Sequence, residues 1–256
     1  MECQICNRPS VFFANALLLK KYKIKYYRCD NCGFVQTEDP YWLEEAYSQA
    51  IIRSDVGLVD RNLRLAKISK IIISAFFNPN AKFIDYGGGY GLYVRLMRDA
   101  GFDFFRYDKY CVNLFAQDFE ADVTGQFQYE LLTAFEIFEH LANPCEEIYK
   151  ILSFSKSMLF TTELLPSVCP KPDEWWYYGL GHGQHISFYT LKSLSILAKK
   201  VGLSLYSDGR SLHLLTPKIV PPFLFNLFQN AKLNFIISKF CSRKSLISSD
   251  YENITH

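Results

Sequence analysis

In the run Phe83-Ile84-Asp85-Tyr86-Gly87-Gly88-Gly89-Tyr90-Gly91, an apolar stretch ends in an acid and then in glycines at alternate positions. A helix-like stretch, Leu92 to Ala100, follows directly. Glycines there let bare backbone approach a small nucleotide-like ligand at the carboxyl end of a β-strand. The pyrophosphate fingerprint Gly-x-Gly-x-x-Gly is not met, because the third position after Gly89 is Leu92. Asp108 closes the next apolar run, Phe102 to Tyr107, where an acid accepts hydrogen bonds from both ribose hydroxyls. Asp122 follows a poorly marked third strand, and an acid there suits an adenine amino group.

A second chemistry sits at the start of the chain. Four of the eight cysteines are arranged as Cys3-x2-Cys6 and Cys29-x2-Cys32. Paired knuckles at this spacing bring four thiolates into tetrahedral geometry around one zinc ion. All four positions are protein ligands, so the expected zinc is structural and folds a module too small to bury a core of its own. Cys111, Cys145, Cys169 and Cys241 have no pairing pattern and read as plain half-buried residues.

The elements that must position these groups follow from periodicity and punctuation. Between the knuckles, Lys21 to Tyr26 alternates, with Lys21, Lys23 and Lys25 on one face and Tyr22, Ile24 and Tyr26 on the other. That face reads either as a grip for RNA or phosphate or as a solvated lysine row over packed tyrosines. Asp39-Pro40 predicts a helix start, and a longer helix is expected from about Asp60 to Phe77, ended by Asn78-Pro79-Asn80. Tyr129 to Phe135 is a near-continuous apolar run typical of a buried parallel strand. Helices starting at Asn143-Pro144 and at Thr190 flank a fifth strand, Ser157 to Thr162. Leu203 to Ser207 and Leu212 to Thr216 read as a hairpin around Asp208-Gly209. Strands alternating with helices, then a terminal hairpin, predict an α/β fold with a mostly parallel sheet and one antiparallel strand.

The spacing Asp-x-Gly-x-Gly-x-Gly resembles the first motif of class I S-adenosylmethionine (SAM) dependent methyltransferases. Phe135-Glu136-Ile137-Phe138-Glu139-His140-Leu141 is similar to the Glu-His-Leu motif after their fourth strand. Trp175 to Tyr189 looks like the signature of a bacterial subgroup with an N-terminal zinc-binding segment, associated with surface polysaccharide and sugar modification. The resemblance implies a Rossmann-like, seven-stranded sheet plus a small zinc ribbon. It divides the chain into a zinc module (1–38), a helical cover of the SAM pocket (39–80), a SAM-binding core (81–218) and a helical tail (219–256). It also implies that Asp85, Gly87, Gly88, Gly89 and Gly91 receive the methionine end of SAM, with Asp85 near its ammonium, while Asp108 and Asp122 hold the nucleoside.

Methyl transfer from a sulfonium to a hydroxyl is mostly positioning, but something must take the proton. Histidine is suited to that, with an ordinary pKa of about 6.5. His140 follows the fourth strand, and His182 and His185 follow the fifth, where ligands of open sheets bind. His182 or His185 is the expected base, with Glu136 as orienting or alternative acid–base group. Trp175, Trp176, Tyr177 and Tyr178 form either a platform for a sugar ring or a self-burying lid. Sugar C-methyltransferases with a similar zinc module carry a further C-terminal domain that 256 residues do not accommodate, so transfer to oxygen is expected.

Bulk properties narrow the partners. A formal charge of +2 does not mark a general polyanion binder, so a small-molecule or sugar acceptor is expected rather than nucleic acid. RNA methylation and SAM binding without turnover are the competing readings. With no signal peptide and no apolar run of ~18 residues, the expectation is a cytoplasmic protein without a membrane span. A homo-oligomer is compatible with the tail from Lys218, which reads as a helix for packing or for lying on a membrane surface.

Overall fold

The computed structural model describes residues 1–48, 55–124, 128–221, 223, 225 and 241–255. Its strands are β1 (Ser10–Leu18), β2 (Tyr22–Cys29), β3 (Val35–Thr37), β4 (Lys82–Tyr86), β5 (Asp103–Tyr107), β6 (Leu131–Ala134), β7 (Met158–Thr161), β8 (Ser187–Phe188), β9 (Ser204–Ser207) and β10 (Leu212–Thr216). Its α-helices are α1 (Leu43–Ala46), α2 (Leu58–Phe76), α3 (Leu92–Asp99), α4 (Pro144–Ile151), α5 (Leu191–Lys200) and α6 (Ile247–Thr255). Two sheets result, ordered β1-β2-β3-β8 and β5-β4-β6-β7-β10-β9.

The second sheet is the expected Rossmann-like, mostly parallel one. β4 runs parallel to β5 and to β6, with Asp85 opposite Arg106 on one side and Thr133 on the other. β9 and β10 are neighbours joined by a tight turn at Asp208, so they run in opposite directions. Six strands are present among the described residues. Where the seventh is expected, there is a single parallel bridge, Arg106 to Glu120. Asp118 at φ +70° and the side-chain turns of Asn113 and Asp122 hold that stretch in local bonds that compete with a ladder.

The chain folds as two compact units: Met1–Ile52 with Glu136–Lys150 and Phe160–Leu215, and Arg53–Phe135 with Ile151–Leu159 and Thr216–His256. In the first unit, β1 and β2 form an antiparallel hairpin, β2 pairs with β3, and β3 pairs with β8, Val35 opposite Phe188. The alternation read between the knuckles is real: Ile24 and Tyr26 are buried while Lys23 and Lys25 are exposed. Their buried face packs with Trp42, Tyr177, Tyr178, Ile186 and Phe188 in one apolar cluster. Tyr177 and Tyr178 are thus core residues, and Trp176, 74 % exposed, is the aromatic left at the surface.

In the second unit, α2 spans nearly the expected range and buries Leu65, Ile68, Ile71, Ile72 and Ile73. α3 ends at Gly101, whose φ of +88° lets Phe102 N–H reach Met97 O at 3.0 Å. The tail expected from Lys218 falls largely outside the described residues; its described part includes α6.

Candidate active site

β4 delivers Asp85 to the head of the glycine loop in the second unit. Asp85 is 3 % exposed and accepts the Thr133 hydroxyl at 2.6 Å. Burial pushes its pKa up to about 7 against that hydrogen bond; the Asp108 charge adds to the rise and Arg106 opposes it. The loop is tied from both sides. Gly87 N–H and Gly88 N–H donate to Tyr107 O at 2.7 and 3.2 Å, and Gly89 N–H donates to Asp108 Oδ2 at 2.9 Å. Buried Arg106 donates from Nε to Gly89 O at 2.6 Å, from Nη1 to Glu120 Oε1 at 2.8 Å, and from Nη2 to Cys111 O.

Two of the glycines have no substitute. A Cβ on Gly88 would stand 2.8 Å from Asp85 Oδ2. One on Gly91, at φ +84°, would stand 2.5 Å from Asn113 Oδ1. Asp108 serves the loop rather than pointing away from it, because its Oδ1 also accepts Tyr110 N–H and Cys111 N–H at 2.7 and 2.8 Å. Asp122 is exposed, and its Oδ1 accepts the Thr124 N–H and hydroxyl at 2.9 and 2.8 Å.

In the first unit, Glu136, Glu139, His140, His182 and His185 gather. Glu136 holds φ +56°, a left-handed conformation costly for a side-chain-bearing residue. Its N–H donates to Thr161 Oγ1 at 2.9 Å, and the Thr161 hydroxyl returns a bond to Glu136 Oε1 at 2.7 Å. The His185 ring lies 4.9 Å from His140 and 4.7 Å from His182 by centroids. Burial lowers the pKa of all three, that of His140 to about 4, so all are neutral imidazoles at neutral pH.

Their tautomers differ. His185 Nδ1 lies 2.6 Å from Tyr177 O, and His140 Nδ1 lies 3.2 Å from Gln184 O and 2.9 Å from the Tyr47 hydroxyl. A carbonyl only accepts, so His185 Nδ1 carries the proton and its Nε2 the lone pair; His140 Nδ1 meets both a carbonyl and a hydroxyl, and donating to Gln184 O gives it the same tautomer. His182 Nδ1 instead accepts Gln184 N–H at 3.1 Å, which leaves its proton on Nε2. The loop holding His182 and His185 is braced by α1 and its neighbours. Trp42 Nε1 donates to Gly183 O at 2.8 Å, Gln184 Nε2 donates to Ala46 O at 2.8 Å, and Leu19 N–H donates to Leu180 O at 2.9 Å.

The four N-terminal cysteines also meet in this unit. All four Sγ atoms lie within 4.8 Å of one another, with Cys3–Cys32 at 3.5 Å and Cys6–Cys29 at 3.4 Å. Zinc bonds of ~2.3 Å set tetrahedral sulfurs roughly 3.8 Å apart, so this cluster fits a closed zinc site. Gly33 at φ +74° turns the second knuckle, donating N–H to Cys29 O at 2.8 Å.

Three participants escape a reading of the sequence. Arg106 occupies a buried position of β5, where alternation calls for an apolar side chain; a charge out of pattern is the signal. Glu139, fully buried, sits beside His140 within the Glu-His-Leu motif. Tyr47 carries no local mark at all.

A family profile described as "Methyltransferase domain" matches residues 59–208. No curated protein matches the chain. Among solved structures, human N-acetylserotonin methyltransferase in complex with SAM is similar at 14 % identity and TM-score 0.43, over 61 % of this chain and 52 % of that one. The plantazolicin methyltransferase BpumL in complex with SAH is similar at 14 % identity and TM-score 0.45, over 70 % of this chain and 79 % of that one. An O-methyltransferase family protein from Burkholderia thailandensis is similar at 14 % identity and TM-score 0.45, over 70 % of this chain and 64 % of that one. The chain thus spans about half the length of the human protein. No helix among the described residues is long and apolar enough to cross a membrane.

Proposed function

This chain belongs to the methyltransferase-domain family, and we propose that it transfers a methyl group from SAM to a hydroxyl of a small-molecule or carbohydrate acceptor. The observation that carries the reading is the cradle at the end of β4: a buried carboxylate, Asp85, beside glycine backbone clamped by Asp108 and Arg106. A desolvated carboxylate favours a cationic partner, and the methionine end of SAM offers an ammonium. Asp85, Gly87, Gly88, Gly89 and Gly91 take that end, Asp108 the ribose hydroxyls and Asp122 the adenine amino group. SAM supplies an activated methyl; the residues of the chain bind and orient it.

The acceptor's proton leaves through the histidine cluster. His185 is the better base of the expected pair, because its Nε2 bears a lone pair whereas His182 Nε2 bears a proton. Glu136, held by Thr161, and His140 orient that group. Residues 1–38 carry the structural zinc on Cys3, Cys6, Cys29 and Cys32, residues 39–80 cover the donor, residues 81–218 bind it, and residues 219–256 form a helical tail. The protein acts in the cytoplasm, on sugars of polysaccharide biosynthesis.

Two measurements test this. Calorimetric titration with SAM should give one site per chain, lost or weakened at least tenfold in Asp108→Ala with zinc content unchanged. Incubation with SAM and a panel of nucleotide sugars should yield a product heavier by one methyl. In His185→Gln its formation should slow by ~10²–10⁴ while SAM still binds, as expected for loss of a general base. A wild-type chain that does not bind SAM refutes the reading.

A further inference from the structure

Glu139 is fully buried, and neither of its carboxylate oxygens has a hydrogen-bond partner among the described residues. Buried carboxylates are normally bonded or paired with a cation. The hydroxyls of Tyr177 and Thr162 lie close to Glu139 but bond one another at 3.2 Å, so at most one of their two protons is left to act on its carboxylate, and neither reaches it at hydrogen-bond geometry. Burial first, and then the nearby Glu136 charge, push the Glu139 carboxyl well above the usual carboxylate range, so it ionises only where a positive counterpart is supplied. No basic side chain supplies one in the ion pairs of the described residues.

What faces Glu139 is a pair of imidazoles. One ligand atom from each of Glu139, His140 and His185 lies within 4.8 Å of the other two. Both histidines hold Nδ1–H against a backbone carbonyl, Gln184 O or Tyr177 O, and so present Nε2 lone pairs. That is the outer support that metal-binding histidines use to fix tautomer and ring orientation. His140 and His185 are partly buried and Glu139 is fully buried, so what little access the group has lies on the histidine side.

We propose that Glu139, His140 and His185 form a second metal site that takes a divalent first-row transition ion. Two nitrogens and one oxygen suit zinc, manganese, iron or cobalt rather than calcium or magnesium. Three protein ligands leave positions free for water or an acceptor oxygen, unlike the closed cysteine site. With bonds of ~2.1 Å the donors would stand roughly 3–3.5 Å apart, so closure needs only a small movement of side chains. The role of the ion rests on the function proposed above and deepens it: an acceptor hydroxyl bound there is acidified by the ion and releases its proton to solvent, so His185 acts as a ligand in the loaded site and as the base in the empty one. Metal binding itself does not depend on that reading.

The test uses the full chain, purified with the zinc it carries. Elemental analysis after zinc loading should find two ions per chain in the wild type and one in Glu139→Gln and in His185→Ala. Manganese, a poor partner for thiolates, should bind at one site per chain by paramagnetic resonance. It should raise the wild-type melting temperature but not that of the variants. Affinity should fall by more than ~100-fold in either variant, beyond the loss typical of an outer partner. His182→Ala should bind manganese like the wild type. The zinc that remains on the cysteines marks variants that have kept their fold, and Glu139→Asp, which keeps the carboxylate, should retain binding. One zinc and no manganese in the wild type would overturn the proposal, as would unchanged affinity in Glu139→Gln. SAM titration of the same samples separates this from failure of the methyltransferase reading, since a chain that binds SAM but no second ion defeats only the metal site.

Discussion

Asp85 sets the behaviour of the glycine-loop cradle through its proton. Its folded pKa is about 7, against 3.8 as the ordinary value. Between these values the native state holds a proton that the unfolded chain releases, so stability is fullest below pH ~4 and falls as pH rises through ~7. Asp85→Asn removes that slope, and thermal melts from pH 4 to 8 should be flatter in the variant than in the wild type. A cationic ligand favours the ionised carboxylate. SAM affinity should therefore climb with pH and level off above about 7 in the wild type, and be weaker and level throughout in Asp85→Asn. An identical climb in the variant would mean that another group titrates. The cradle was legible because Gly88 and Gly91 answer to backbone geometry, which the sequence displays directly. Arg106 and Glu139 were not, because what a buried charge pairs with is decided by residues far along the chain.

At the level of elements, Thr190 joins two structures. Its Oγ1 accepts Ser193 N–H at 3.0 Å as the cap of α5, and it donates to Cys32 O at 2.6 Å. Its methyl would lie 2.9 Å from any Cβ placed on Gly33. The capping box thus locks the second cysteine knuckle to the helix that follows the histidine loop. Thr190→Val keeps the shape and deletes both bonds. The lost cap should cost ~1 kcal/mol in denaturant unfolding, and zinc should pass to a chelator several-fold faster; an unchanged release rate would show that the knuckle does not lean on Thr190. α5 was readable because Thr190 and Gly202 punctuate it. α1 was not: Asp39-Pro40 signals a start, but helix forms only over Leu43–Ala46, since Trp42 turns inward to donate to Gly183 O. The third strand fails for the related reason that short side-chain turns satisfy its backbone locally.

Over the whole molecule, no compact unit is a continuous stretch of chain, since each unit is assembled from three segments. The last of them returns to the glycine-loop helix. Buried Arg98 of α3 donates to Asp250 Oδ1 at 2.6 Å and Oδ2 at 2.9 Å, and Arg95 donates to the same Oδ2 at 2.8 Å. Burial alone would raise the carboxyl of Asp250, but the bonds from Arg98 and Arg95 outweigh it and hold the pKa below the usual carboxylate range. Its contribution to stability is present above pH ~4 and is lost as pH falls through the lowered value. That slope is opposite to the one from Asp85, so stability should pass through a maximum in mildly acidic solution. Asp250→Ala leaves the Arg98 guanidinium, with a side chain only 6 % exposed, with Asp103 as its one remaining carboxylate and Phe104 O as a neutral acceptor. Removing one partner of a buried pair costs about 3 kcal/mol. Asp250→Asn, which still offers one acceptor oxygen, should cost less, and both variants should lose the acid limb of the pH–stability curve while keeping the fall toward pH 7. Equal losses in the two variants, or an acid limb that survives in either, would place the closure of the tail in the apolar contacts of α6 instead of in this ion pair.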